Sequence, residues 1–137
     1  MKIVIDTNLF ISAFISLNSR QRLNLILENP IYEILMDDTL FNEIYTVINR
    51  PKFTKYVNSD QIENFLKLIN ERTTFINTQS VVQFSPDPND DFLLALCKDG
   101  EADYLLTGNK IDLLELFYFG KTKILSLSEF IQNHLNS

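Results

Sequence analysis

Carboxylates are the side chains best placed to do chemistry in this sequence. Asp6 directly follows the apolar run Ile3-Val4-Ile5, so it stands at the tip of a buried strand rather than on a solvated helix face. There it reads as a functional acid ahead of an N-cap for the next helix, a task that Asn8 can fill equally well. Glu43 lies in a helical pattern, about 40° around the axis from Val47 and on the border of the apolar arc, so its side chain can reach the core edge. Asp87, Asp90 and Asp91 crowd one helix start, where the helix dipole favours an acid by about 0.3 to 1 kcal/mol. That accounts for Asp87 and Asp90. Asp91 differs, because its neighbours one turn on, Leu94 and Ala95, belong to the unbroken apolar run Phe92 to Cys97, which predicts a buried helix. A buried carboxylate is costly unless paired or metal-bound, so Asp91 is expected to turn inward and to act. A second polar tip, Thr107-Gly108-Asn109, ends another apolar run, and Asp112 follows one turn later. Gly108 there allows close backbone approach or a positive φ, or simply a strand-to-helix turn.

These acids need elements to bring them together. Strands are expected at Lys2 to Ile5, Ile31 to Met36, Tyr104 to Thr107 and Thr122 to Leu125, with one or two short extended pieces between Phe75 and Phe84. Helices are expected from about Leu9 to Glu28, from Asp37 to the Arg50-Pro51 break, and from Ser59 to Arg72. Another helix opens at Asp87-Pro88, with Asp87 as its N-cap, and is stopped by Gly100. A short one spans Asp112 to Phe117, and Ser126-Leu127-Ser128-Glu129 is a capping-box pattern for the last. Phe10, Phe14, Phe41 and Tyr45 recur at helical spacing and are assigned to the core. Alternating strands and helices imply an α/β fold, a three-layer α/β/α arrangement with a mostly parallel central sheet of four to five strands. Ligands in such sheets sit beyond the strand C-terminal ends, where the tips at Asp6 and Thr107 share one edge.

Composition narrows the function classes. A chain of 137 residues with 45% hydrophobic content fits one domain over residues 1–137. No apolar run is long enough to cross a bilayer, and Asp6 interrupts what a signal peptide would need, so a cytoplasmic protein is expected. Cys97 is the sole cysteine and reads as a buried apolar filler. The net charge of −6 argues against a broad basic face for nucleic acid. A phosphate partner would have to be met locally, for instance through a divalent cation held by carboxylates.

Taken in order, the pieces resemble the PIN-domain family, and most of all its toxin branch from bacterial toxin–antitoxin pairs. The resemblance rests on Ile3-Val4-Ile5-Asp6-Thr7-Asn8, on Glu43 ahead of Asn49-Arg50-Pro51-Lys52-Phe53, and on Asp87-Pro88-Asn89-Asp90-Asp91 with Ala95. It continues through Ala102-Asp103-Tyr104-Leu105-Leu106-Thr107-Gly108-Asn109 and the Asp112-Leu113-Leu114 turn, so it covers nearly the whole chain. It implies a metal-dependent ribonuclease that hydrolyses phosphodiester bonds of single-stranded RNA, with acids converging on one or two divalent cations. Asp6, Glu43 and Asp91 match the family's first three acids. Asn109 stands where the fourth acid usually does, and Asp112 is close enough to compensate.

On that reading Asp6 and Asp91 bind Mg²⁺ or Mn²⁺ directly, the hard cations that all-oxygen ligation favours. Glu43, Asn109 and Asp112 complete the shell or hold its waters, and Thr7, Asn8, Asp90 and Thr107 orient the acids. Arg50 and Lys52, with Lys55, either guide the RNA backbone or complement a helix end. The resemblance also implies a homodimer and an antitoxin protein as partner. The alternative is a catalytically weakened binding module of the same fold, a reading that Asn109 supports. A receiver-like phosphorylation module fits less well, because the first strand ends in a single acid.

Overall fold

Short apolar runs become central strands, and the amphipathic stretches between them become the helices that cover the sheet. The computed structural model describes residues 1–135, so the last two residues of the expected 1–137 unit lie outside the described residues. Its first half runs β1 (Lys2–Ile5), α1 (Thr7–Ile15), α2 (Leu17–Leu27), β2 (Glu33–Met36), α3 (Asp38–Ile48), α4 (Pro51–Thr54), α5 (Ser59–Arg72) and β3 (Thr74–Phe75). After a 3₁₀ turn (Pro88–Asp90) come α6 (Asp91–Gly100), β4 (Tyr104–Thr107), α7 (Ile111–Leu114), β5 (Tyr118–Phe119), β6 (Thr122–Ser126) and α8 (Leu127–His134).

The sheet has six strands in the order β3-β2-β1-β4-β6-β5, all parallel except β5, which runs antiparallel to β6. The sheet exceeds the expected four to five strands by one, because β3 and β5 span two residues each, too short for a period of two to register. β1 and β4 lie side by side at the centre, with Ile3, Val4 and Ile5 opposite Tyr104, Leu105 and Leu106. All of these but Tyr104 are fully buried, as parallel strands covered on both faces should be.

The helices depart from expectation at identifiable points. The stretch expected as one helix from Leu9 to Glu28 is two, because Ser16 is extended (φ −116°, ψ 127°) and its hydroxyl accepts from the Ser19 amide to start α2. Arg20 makes the break affordable: its guanidinium donates to the Ala13 and Phe14 carbonyls (3.0 and 2.9 Å), which the end of α1 leaves open. Tyr45 is 54% exposed rather than core, while Phe10 is fully buried and Phe14 and Phe41 are partly so. Gly100 does not supply the stop of α6. Glu101 takes the left-handed conformation (φ 52°), and Gly100 instead allows close packing, since a Cβ there would stand 2.5 Å from Leu35 Cδ1. Gly108 needs neither of the freedoms expected of it, for its φ is not positive and a Cβ would make only ordinary contact with Leu9 at 3.8 Å. The helix expected from Asp112 to Phe117 is the shorter α7, with Phe117 turned to φ 61° beyond it. Ser126 caps α8 as its pattern indicates, accepting from the Glu129 amide.

Candidate active site

The register of the two central strands builds the site. Because Ile5 pairs with Leu106, the next residues, Asp6 and Thr107, leave the sheet side by side, and the Asp6 amide donates to the Leu106 carbonyl at 2.9 Å. Thr107 Oγ1 donates to Asp6 Oδ2 at 2.9 Å, with both residues buried. Burial raises the Asp6 carboxyl above its ordinary pKa; the Thr107 hydrogen bond and the charge of Lys110 pull it down, and the charge of Asp90 pushes it up again. Thr7, which opens α1, donates through Oγ1 to Glu43 Oε2 at 2.7 Å, so half-buried Glu43 on α3 is tied to the residue beside Asp6.

A third acid joins from the 3₁₀ turn. Asp90 is 1% exposed, and its Oδ1 receives the Lys110 ammonium in an ion pair. Lys110 stands just past the tip of β4, and its side chain is about one-third exposed. Burial alone would lower its pKa, but the hydrogen bond to Asp90 and the charges of Asp6, Asp90 and Asp87 outweigh that and hold it above the ordinary lysine value. The ammonium thus answers several carboxylates at the C-terminal edge of the sheet.

Asp91, expected to turn inward, does not. It is half-buried, and its Oδ1 accepts from the amides of Ser85 (2.7 Å) and Phe84 (3.2 Å), on a pocket shared with Asp37, Thr39, Thr78 and Ser80. The reason is the turn that precedes α6. Asp90 closes the 3₁₀ turn and is buried, whereas Asp91 opens α6 and is only half-buried. Asn8, Asn109 and Asp112 are exposed, as are Arg50 and Lys52, the latter with its ammonium 5.0 Å from the Phe53 ring centroid. Among the described residues no three acids, histidines or cysteines gather closely enough to hold one ion, so the expected convergence of three or four carboxylates is absent. Sequence reasoning cast Asp90 only in support and missed Lys110 altogether. The available signal was a lone lysine in a strand-end loop at the edge where the acids collect.

A family model of the PIN domain matches residues 2–111, which takes in Asp6, Glu43, Asp90 and Lys110. The chain belongs to the PIN-domain family. Among solved structures, this PIN domain is similar to the crystal structure of VapBC2 from Rickettsia felis bound to a DNA fragment from their promoter. The identity is 14% and the TM-score 0.61, over 92% of this chain and 98% of that one, a likeness of fold. No curated protein sequence matches it.

PIN domains are generally metal-dependent, and the chemistry of the donor set suits such an ion. Asp6 and Asp90 are hard oxygen donors, 2% and 1% exposed, and the charge that answers them here is already a cation, the Lys110 ammonium.

Proposed function

We propose that this PIN-domain protein is an Mg²⁺- or Mn²⁺-dependent endoribonuclease that hydrolyses phosphodiester bonds of single-stranded RNA. The observation that carries this is the pair of buried acids, Asp6 and Asp90, set against a cation at the C-terminal edge of a parallel sheet. That edge is where ligands of such sheets bind. Asp6 and Asp90 would hold the ion, with Glu43 the nearest further acid tied to the site through Thr7. When bound, Mg²⁺ or Mn²⁺ supplies Lewis acidity toward a phosphodiester.

The chain's own part is positioning. Thr107 fixes the rotamer of Asp6 and favours its charged form, and the Thr7 hydroxyl holds Glu43 in place. Asp91 tethers the Phe84–Ser85 backbone and so steadies the approach to α6. Arg50 and Lys52 are exposed cations that can meet the RNA backbone away from the acids. The fold's likeness to VapBC2 supports a further reading, that the protein is the toxin of a toxin–antitoxin pair, dimeric and held by a partner protein.

A second reading keeps the fold without the catalysis. It is favoured by Asn109, which is exposed and neutral where the family resemblance calls for an acid. Cleavage of a labelled single-stranded RNA by the purified protein, free of any co-purifying partner, decides between the two. Mn²⁺-dependent products that vanish in Asp6→Asn support the nuclease. Intact RNA in wild type at millimolar Mg²⁺ and Mn²⁺ leaves the binding module.

A further inference from the structure

Lys110 is the one participant at this edge that a metal-binding role for the acids does not explain. Its ammonium is paired with Asp90, whose side chain is 2% exposed, and it is also within electrostatic reach of Asp6 and Asp87. We propose that Lys110 is a displaceable internal cation: it neutralises the Asp6 and Asp90 carboxylates in the metal-free protein, and a divalent cation gains the pair only by evicting it. This rests on the metal-dependent reading above.

The construction suits eviction. The Lys110 backbone is anchored, because its carbonyl accepts from the Leu113 and Leu114 amides (3.1 and 3.0 Å) to start α7. Its side chain is 32% exposed, so the ammonium has a path to water that the buried Asp90 lacks. Lysine is a compact, strongly hydrated point charge on a flexible stem, with no fixed fork of donors to hold it in register on a carboxylate. Two like charges cannot comfortably share one carboxylate pair, so ammonium and divalent cation exclude each other. The same exchange explains how Asp6 and Asp90 stay buried and close before an ion arrives.

Two measurements on the full chain test this without RNA. In the first, Mn²⁺ is titrated into wild type and Lys110→Met, with the melting temperature as readout. Lys110→Met should melt lower than wild type in EDTA and reach half its Mn²⁺ response at a concentration at least about 10-fold lower. The second needs no variant: wild type is acetylated with acetic anhydride, with and without saturating Mn²⁺, and each lysine is quantified by mass spectrometry. Lys110 labelling should rise severalfold with Mn²⁺ while exposed Lys52 stays unchanged. If wild type responds to Mn²⁺ but Lys110→Met binds no tighter and Lys110 labelling is flat, competition is wrong and metal dependence stands. If neither protein responds to Mn²⁺, metal dependence fails and the exchange fails with it.

Discussion

Asp90 and Asp91 are neighbours of the same type, yet one is sealed against Lys110 and the other braces a loop. The two stand on either side of the junction between the 3₁₀ turn and α6. Asp90 is 1% exposed with Lys110 as its partner, whereas half-buried Asp91 accepts from the Phe84 and Ser85 amides. In an RNA cleavage assay with Mn²⁺, Asp90→Asn is therefore expected to lose well over about 100-fold in rate, beyond what outer positions cost. Asp91→Asn should keep most of its activity and instead raise amide exchange at Ser85; equal losses in the two variants would overturn the distinction. Thr107→Val tests the support of Asp6. It leaves a buried carboxylate oxygen without its donor, which costs about 1–3 kcal/mol of stability by urea unfolding. Cys97, fully buried, has its thiol pushed up to about 12 by burial, so an alkylating reagent should reach it only on unfolding. Asp6, Glu43, Thr7 and Thr107 were legible in the sequence because a strand tip and the rim of a helix are periodic features. Which aspartate faces inward was not, since a single 3₁₀ turn moves the choice by one residue, and the Lys110 contact forms across a loop that carries no period.

At the scale of elements, α6 is the piece on which most depends. It places Asp90 at its start, buries its apolar faces against β1 and β2, and at its far end holds an otherwise irregular segment. Asp99 does the holding, accepting from the Gln79 and Ser80 amides (2.6 and 2.9 Å) and from the Ser80 hydroxyl. The Ser80 hydroxyl, and after it the Ser80 and Gln79 amides, keep the Asp99 carboxyl below its ordinary value of 3.8. A depressed carboxylate contributes stability above its unfolded pKa and loses it as the pH falls through the folded one. The stability gap between wild type and Asp99→Asn should accordingly be largest near neutrality and close below pH 3.8; a gap that widens with acid would refute the tether. Gly100→Ala sets two effects against each other. Alanine gains up to about 1 kcal/mol in helix propensity. Its Cβ, however, would meet Leu35 Cδ1 at 2.5 Å and Ile76 Cδ1 at 3.0 Å, and Leu35 is buried, with little room to yield. Overpacking of about 1–3 kcal/mol should win, giving a lower melting temperature. The longer elements could be read directly, as α5 and β4 show by matching their expected limits. What escaped was the Ser16 break, hidden inside a continuous amphipathic stretch, and the two-residue β5, while β3 lies at the very edge of the Phe75 to Phe84 stretch expected to hold short extended pieces.

For the molecule as a whole, the net charge of −6 has to be reconciled with the polyanionic substrate proposed for it. No described helix is long and apolar enough to cross a membrane. If RNA is met mainly through a divalent cation on the buried acids, affinity should depend on that ion far more than on bulk screening. Single strands lose affinity with a logarithmic salt slope of about −0.7 for each phosphate neutralised by a protein cation. Arg50, Lys52 and Lys55 are the basic residues argued to touch the backbone, so their joint contribution is bounded near a slope of about −2. Fluorescence anisotropy with a labelled single-stranded RNA, using Asp6→Asn to prevent turnover, measures that slope directly. The binding should fall sharply in this variant relative to wild type observed before cleavage, and the residual salt slope should be no steeper than about −2. In EDTA both proteins should bind equally weakly, because neither then holds a divalent cation that can grip the phosphates. A slope of about −4 or steeper that persists in EDTA would mean an extensive basic surface that this composition does not provide, and it would detach RNA recognition from the Asp6 and Asp90 site.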